Sequence, residues 1–536
     1  MSSPDPFTIE VIRHGLTQAA EEMSLTVMRA ARSPLLREAG DLSSAITDAD
    51  GLLIAQGRDI PMHMGVMSFT VQEFLKHVPA EKLAPGDVWF LNLPEIGGNH
   101  LPDVKAIQPI FHDGKPIAYA VSLAHWADIG GAVAGSYVPH ATDAWQEGVR
   151  MPPFRLFHAG GPDREKLDML LANIRGPAER EGDILAQAAS CRGAVERVDA
   201  MVARHGADTL QAAIEALHDQ SARQMAEALA TLPQGTFKGE DFLDDDGHGG
   251  PPAAVRVTVT LSNGRACFDF SETDDAVPGP LNTTRFIAAA GAYYAAKALA
   301  GPDIQPNGGL YRQLDIITRP GSLLDPPTHL PVVGGNHETA QRIADAIFRA
   351  FEGVLPERLT AGGPTTSGLL LFAGRDHRDR WTTLYEVHGG GEGGRAERDG
   401  MSVVRVHMAN VMNTPVEVIE QDYPLAVERH ALRRGSGGKG RHCGGEGLIR
   451  TYRCEGDNIS LTTMFERRII PPYGIAGGES GAPFRVTLER AGGSREELTG
   501  KTNVTLQRGD RVTLESCGGG GWGDPDSAKT TKETTS

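Results

Sequence analysis

Imidazole and carboxylate side chains recur in the segment 92–131. His100 and Asp103 lie three positions apart, and a second imidazole, His125, follows downstream. Nitrogen and oxygen ligands of this kind are typical of sites for divalent transition metals such as Zn, Mn or Fe. Their types and spacing therefore predict a site for one divalent metal ion.

The residues between these side chains predict how they meet. Two apolar, strand-like runs, 104–111 and 116–122, are separated by the turn pair Asp113 and Gly114. Such a turn between strands is a β-hairpin signal. A hairpin returns the chain beside itself, so His125 is expected to lie opposite His100 and Asp103 at one end of the paired strands.

Two acidic residues upstream could complete the ligand set. Glu38 and Asp41 precede a strand-turn-strand pattern over residues 42–55. Spacing alone favours a solvated loop over a metal-ligand role for both carboxylates, and it does not choose between the two acids. A further acid, Asp128, follows His125 at the same three-residue spacing.

Composition limits the class of protein. The 536 residues are 40% hydrophobic and 23% charged, which is typical of a globular protein with a large core. The formal net charge of −17 argues against nucleic acid and anionic membranes as partners. No apolar run approaches the roughly 18 residues of a membrane span. The five cysteines include no CxxC pair, and the opening residues show no secretory signal, so a cytoplasmic protein is expected.

Residue periodicity predicts an α+β fold that changes character along the chain. Apolar residues at helical spacing over 8–32 and 163–232 predict helices, alternation over 255–261 predicts a strand, and the last third is strand-rich and glycine-rich. The predicted regions are a β-rich metal-site region with an amino-terminal helix (1–160), a helical region (161–235), a mixed α/β region (236–355), a β-rich, Gly-rich region (356–526) and a disordered tail (527–536).

The glycine-rich runs do not match the sequence motifs of nucleotide-binding sites. None carries the Lys and Ser/Thr of a Walker A motif, and none opens a dinucleotide-binding unit. Tight turns in a β-rich body explain most of them. The chain therefore has no nucleotide motif of its own.

Several motifs resemble those of the hydantoinase B/oxoprolinase family, the metal-bearing subunit of ATP-dependent hydantoinases, lactamases and ketone carboxylases. They are REAGDLSSAITDADG, HLPDVK and SLAHWADIGG, and the resemblance extends from residue 9 to residue 525. It implies a mononuclear metal held by His100, Asp103, His125 and either Asp41 or Glu38. His337 stands where the family usually has an apolar residue, and we interpret it as a local substitution.

The resemblance also implies the reaction. The chain is expected to form a hetero-oligomer with a hydantoinase A-type ATP-using subunit. That partner subunit is expected to phosphorylate a cyclic amide such as a hydantoin, 5-oxoproline or a lactam. A metal site then promotes hydrolysis of the ring, and Glu38 or Asp128 is the expected general base.

Two alternatives remain open at this point. One is a subunit of an ATP-dependent ketone carboxylase, although the large subunits of those enzymes tend to be longer than this chain. The other is a non-catalytic scaffold for the ATP-using subunit.

Overall fold

A seven-stranded antiparallel sheet forms the amino-terminal part of the computed structural model, which describes residues 4–527. Its strand order is β2-β1-β5-β4-β3-β6-β7. The strands are β1 (Leu42–Asp48), β2 (Leu53–Gln56), β3 (Val88–Leu91), β4 (Asp103–His112), β5 (Lys115–His125), β6 (Phe154–His158) and β7 (Gly161–Pro162).

Helices cover both faces of this sheet. Helix α1 begins after Asp5, whose side chain accepts hydrogen bonds from the backbone N–H groups of Phe7 and Thr8. Apolar side chains of α1 and α5 pack on one face of the sheet, and α3 packs on the other. The helices are α1 (Pro6–Ala30), α2 (Pro34–Arg37), α3 (Val66–His77), α4 (Arg164–Leu171), α5 (Pro177–His205) and α6 (Ala207–Ala230).

A second, four-stranded sheet has the order β11-β10-β9-β8, with β10 and β11 parallel and the other pairs antiparallel. Helix α9 packs on β8 and β9, and α7 packs against α9. The elements are β8 (Gly235–Phe242), β9 (Ala254–Ser262), β10 (Arg265–Asp269), β11 (Leu314–Ile317), α7 (Arg285–Ala300), α8 (Gly308–Tyr311) and α9 (Thr339–Ala350).

Two more sheets complete the carboxy-terminal part. Their orders are β13-β12-β16-β19 and β14-β15-β20-β17-β18. The elements are β12 (Leu369–Arg375), β13 (Trp381–Glu386), α10 (Val416–Asp422), β14 (Leu425–Arg433), β15 (Gly447–Cys454), β16 (Ile459–Met464), β17 (Arg485–Glu489), β18 (Arg495–Glu497), β19 (Lys501–Leu506) and β20 (Arg511–Glu515).

The α+β prediction is confirmed by this arrangement of helices and separate sheets. The region boundaries stay a prediction, and the predicted tail lies outside the described residues apart from Ser527. Within residues 4–527, no helix has the length and apolar character that crossing a membrane requires.

One small apolar cluster matters for the site that follows. It joins the end of the first sheet to the third sheet, with Ala127 and Tyr137 from one side and Leu371 and Tyr385 from the other. Val333, from the segment before α9, lies in the same cluster. Segments that are far apart in the sequence therefore meet at the end of β5.

Candidate metal centre

The β4–β5 hairpin brings the first candidate ligands together. Its register pairs Asp103 directly with His125, as the turn at Asp113 and Gly114 predicts. His100 lies one turn before β4, where its backbone C=O accepts from the N–H of Asp103 at 3.2 Å. The side chains of His100, Asp103 and His125, which come from this hairpin and the residues just before it, therefore converge.

Their polar atoms are close enough to share one ion. Asp103 Oδ1 lies 3.1 Å from His100 Nε2 and 3.0 Å from His125 Nδ1. The two imidazole ring centroids are 5.0 Å apart, and one ligand atom from each of the three residues falls within 4.8 Å of the others. All three side chains are almost completely buried.

A backbone carbonyl orients the ring of His100. His100 Nδ1 lies 3.0 Å from Val333 O, so Nδ1–H donates to that carbonyl and Nε2 is directed at Asp103. The Val333 peptide is held in turn by Glu147, whose Oε1 accepts from the N–H groups of Val332 and Val333 at 2.9 and 2.8 Å. Glu147 therefore fixes His100 indirectly, a role that sequence analysis did not find.

Asp41 brings a second carboxylate to the cluster. Its backbone C=O accepts from the N–H of His125 at 3.1 Å, because β1 pairs with β5 beside it. Burial and then the charge of Asp103 raise the pKa of Asp41 to about 8. Between the two upstream acids, Asp41 is the one placed near the hairpin residues.

The electrostatics of the other members follow from burial and from contacts within the cluster. Burial lowers the pKa of His125 to about 4, against the opposing effect of Asp103. Burial alone would raise the pKa of Asp103, but His100 and hydrogen bonds from the surrounding imidazoles hold that pKa well below its usual range. A charged Asp103 therefore faces neutral imidazole at His125.

Glu38 and Asp128, the two predicted general bases, have other contacts. Glu38 is partly exposed, with Oε1 3.7 Å from Arg37 Nη2. The Asp128 carboxylate accepts from the backbone N–H groups of Gly130 and Gly135 at 2.8 and 2.7 Å, and Arg175 donates to it from both its backbone and its side chain. Asp128 thus holds the loop after β5 in place.

Sequence analysis missed several groups around the cluster. His63 Nε2 lies 3.5 Å from Asp103 Oδ2, and its Nδ1 lies 2.8 Å from Ser43 Oγ. Asn336 Nδ2 lies 3.1 Å from His100 Nε2 and 3.4 Å from Asp103 Oδ2. His63 is a single imidazole with no pattern around it, whereas the polar pair at 336–337 ahead of α9 was a usable signal.

Aromatic rings and His337 form one wall of the cluster. The ring of Tyr385 lies 4.7 Å from that of His125, and its hydroxyl lies 3.2 Å from the hydroxyl of Tyr137. The ring of His337 lies 5.2 Å from that of Tyr137 and 6.3 Å from that of His100. The interpretation of His337 as a local substitution stays a prediction, but its ring borders the cluster.

The donor set fits a divalent metal ion. Without a metal ion, a doubly protonated His100 can donate from Nδ1 to Val333 O and from Nε2 to Asp103 Oδ1 at 3.1 Å, and a metal ion bound to Nε2 would replace the second proton. His125 Nε2 is buried and has no hydrogen-bond partner among the described residues. Two imidazoles and one or two carboxylates are ligands that Zn, Mn and Fe accept.

Comparison with known proteins gives the family context of this site. The family model described as hydantoinase B/oxoprolinase matches residues 5–525. Caprolactamase subunit beta from Pseudomonas jessenii is 30% identical over 98% of this chain and 92% of its own length. The 5-oxoprolinase 1 of Arabidopsis thaliana is 31% identical over 97% of this chain, which spans 42% of that longer protein.

Solved structures show the same fold. The crystal structure of the ATP-dependent caprolactamase from Pseudomonas jessenii matches with a TM-score of 0.92 at 29% identity, over 98% of this chain and 92% of that one. A nucleotide-free acetone carboxylase structure matches with a TM-score of 0.88 at 18% identity, over 97% of this chain and 76% of that one. At that identity the second likeness shows the fold alone.

Proposed function

Because the chain belongs to the hydantoinase B/oxoprolinase family, we propose that it is the metal-dependent subunit of an ATP-dependent amidohydrolase. The substrate is a cyclic amide, such as a hydantoin, 5-oxoproline or a lactam, and a hydantoinase A-type partner subunit phosphorylates it in a hetero-oligomer. In the overall reaction, water breaks the ring C–N bond and ATP is converted to ADP and phosphate. One observation carries the proposal: a buried His100, Asp103 and His125 cluster in a chain similar over nearly its whole length to caprolactamase subunit beta.

The proposed ligands of one divalent ion are His100, Asp103, His125 and Asp41. When bound, such an ion polarises an oxygen atom under attack and lowers the pKa of water toward neutrality. Val333 O supports this assignment because it keeps Nε2 of His100 directed at the cluster. The burial of Asp41 next to Asp103, with the partial exposure of Glu38, favours Asp41 as the fourth ligand.

The chain's own groups also shape the space for the substrate. Tyr137 and Tyr385 bring two buried hydroxyl groups to the wall of the cluster, and burial, as the largest cause, raises the pKa of both phenols, that of Tyr137 well above its usual range. Both phenols therefore stay protonated and can donate to an oxygen of the ring. For the general base, Glu38 and Asp128 stay predictions, and the hydrogen bonds at Asp128 leave it less free to take a proton than Glu38.

The test uses the full chain purified with its partner subunit. We expect the variants His100→Ala and His125→Ala to lose both the bound metal, measured by elemental analysis, and ATP-dependent ring opening of a panel of cyclic amides. His377→Ala is the matched control, because His377 is exposed and lies outside the cluster. Retention of both metal and turnover in the two cluster variants would end the proposal.

The same preparation separates the two alternatives. A ketone carboxylase would incorporate labelled bicarbonate into a ketone and leave cyclic amides intact. A scaffold would support ATP hydrolysis by its partner without holding metal. Ring opening without incorporation of label, by a chain that contains metal, supports the amidohydrolase.

A further inference from the structure

A cavity outside the metal cluster has more basic than acidic side chains in its lining. It has a volume of about 290 Å³ and lies between α7, the end of α9 and the segment 389–407. Arg358, Arg395, Arg405 and His407 contribute to its lining, and Glu392 is the one acidic residue there among the described lining residues. In a chain with a net charge of −17, this local surplus is unusual.

The carboxylate of the cavity is already neutralised. Glu392 Oε1 lies 2.5 Å from Arg395 Nη2, and Glu392 Oε2 lies 3.1 Å from Arg398 Nη1. Arg358 makes one long hydrogen bond, at 3.4 Å, to a backbone carbonyl. The guanidinium groups of Arg358 and Arg405 therefore have no acidic counterpart in the cavity.

Arg405 is the more enclosed of these two groups. Its Nη1 donates to Ser367 O at 2.8 Å, and no carboxylate of the described residues lies within ion-pair distance of its guanidinium. Burial, as the largest cause, lowers its pKa, and Tyr385, Glu338 and Asp41 oppose that shift. Arg405 is half-buried and lines the cavity, so its remaining N–H donors are open to a ligand that offers paired acceptor oxygens.

The backbone around Arg405 is held in a strained conformation. Val403 and His407, two positions before and after it, both have φ of 54°. Positive φ is a rare conformation for a β-branched residue such as Val403, and such strain persists only where surrounding structure enforces it. The side chain of Arg405 itself is oriented by its hydrogen bond to Ser367 O.

A short chain of contacts connects Arg405 to the metal cluster. The backbone N–H of Ser367, the residue whose C=O binds Arg405, donates to Glu338 Oε1 at 3.0 Å. The same carboxylate oxygen lies 3.1 Å from His337 Nδ1, and the His337 ring borders that of His100. The charge of Arg405 also opposes the rise that burial and Asp103 cause in the pKa of Asp41, so a ligand bound to Arg405 would lie within electrostatic reach of the cluster.

We propose that this cavity, centred on Arg405, binds an oxyanion group of the substrate: a carboxylate that the cyclic amide carries, or the phosphoryl group that it receives from ATP. The inference rests on the proposed function and gives its substrate a negatively charged group beside the reacting amide. Both oxyanions accept the paired hydrogen bonds that a guanidinium offers.

The test measures binding by the full chain, without ATP, by isothermal titration calorimetry. The probes are 5-oxoproline, inorganic phosphate and 2-pyrrolidinone, which is 5-oxoproline without its carboxylate. In Arg405→Met we expect the affinity for at least one of the two anions to fall about tenfold or more, as for a lost hydrogen bond to a charged group, while 2-pyrrolidinone is unaffected. Arg223→Met, an exposed arginine on α6, is the matched control.

The outcomes separate the two sources of the oxyanion. A loss confined to 5-oxoproline identifies a substrate carboxylate, and a loss confined to phosphate identifies the transferred phosphoryl group. The proposal is overturned if the unaltered chain binds neither anion, or if Arg405→Met binds both anions as tightly as the unaltered chain does. If Arg405→Met does not fold, Arg358→Met at the cavity edge gives the same test.

The oxyanion site and the proposed function can be refuted independently of each other. Anion binding that depends on Arg405 in a chain that opens no cyclic amide with its partner would defeat the proposed function and leave the oxyanion site. Ring opening that persists in Arg405→Met with unchanged KM for charged and neutral substrates would defeat the oxyanion site and leave the proposed function.

Discussion

Among the buried clusters of charged side chains in the described residues, two balance charge in different ways. In the first, Arg467 Nη2 lies 2.6 Å from Asp241 Oδ2 and 2.7 Å from Asp345 Oδ2, and Arg342 Nη1 lies 3.2 Å from Asp241 Oδ2. Two guanidinium groups therefore match two carboxylates. In the second, the metal cluster, no ammonium or guanidinium of the described residues lies within 4.0 Å of Asp41 or Asp103.

The difference indicates where an external cation belongs. Buried charges are tolerated when they are paired or bound to a metal, so a cluster with its own counter-charges is complete as folded. The metal cluster has two carboxylates, imidazole neighbours and a buried His125 Nε2 without a partner. Burial and the charge of Asp103 raise the pKa of Asp41 to about 8, so its carboxyl group keeps a proton near neutral pH when no cation is bound. A bound cation would displace that proton and pair with both carboxylates, which is the physical reason to place the ion there and not at Asp241.

The largest effect is expected from breaking the balanced cluster. Arg467→Met leaves Asp241 and Asp345 buried without their shared guanidinium and should lower the free energy of unfolding by about 3–5 kcal/mol. Urea denaturation followed by circular dichroism measures it, with Arg223→Met as the exposed control. An Arg467→Met protein as stable as the control would mean that this cluster does not depend on matched charge.

The contrast also explains what sequence could and could not predict. His100, Asp103 and His125 belong to one hairpin, so a local turn signal and short spacings suffice to bring them together. His63, Asn336 and the loop carbonyl of Val333 reach the same point from other segments, through packing that no local pattern encodes. Arg405 lies still further along the chain, and nothing about its immediate neighbours distinguishes it from a surface arginine.

Asp128 offers a third case for this comparison of charge balance. It follows the proposed ligand His125 by three positions, but hydrogen-bond donors of the chain already bind its carboxylate. Asp128→Asn keeps the shape and removes the charge that Gly130, Gly135 and Arg175 bind. We expect a loss of about 1.5–3 kcal/mol in the free energy of unfolding, typical of hydrogen bonds to a charged group. Bound metal should be retained, and loss of turnover with unchanged stability would instead support its predicted role as the general base.

Glu147 is a buried carboxyl group that acts on His100 only through the backbone of Val332 and Val333. It therefore tests whether this segment positions a metal ligand. Glu147→Ala removes the acceptor that holds Val332 and Val333 and should weaken metal binding about 10–100-fold, as for other groups that orient a ligand. Glu147→Gln keeps an acceptor oxygen and should restore most of that affinity. Competition with a chelator measures both, and equal affinity in the alanine variant and the unaltered chain would remove Glu147 from the site.

The same residue predicts a pH dependence of stability. Burial, partly offset by hydrogen bonds from Val333 and Val332, raises the pKa of Glu147 to about 8 from 4.5. The folded state therefore keeps a proton that the unfolded state releases, so the contribution of Glu147 to stability is full below about pH 4.5 and is lost as pH rises toward 8. Glu147→Gln should show a smaller fall in the free energy of unfolding across that range, and an identical slope would contradict the shift.

The smallest effect is expected at Glu38, the acid that spacing could not separate from Asp41. Its ion pair with Arg37 is long, at 3.7 Å, and partly exposed, so Glu38→Ala should change the free energy of unfolding by less than about 1 kcal/mol. Metal content should stay at the level of the unaltered chain, whereas Asp41→Ala should lose metal if Asp41, which is buried and feels the charge of Asp103, is the fourth ligand as proposed. If Glu38→Ala loses the ion and Asp41→Ala keeps it, the fourth ligand has been assigned to the wrong acid. If Glu38→Ala keeps the ion but not turnover, that result supports Glu38 as the predicted general base, because an acid that binds no metal would then be needed for proton transfer.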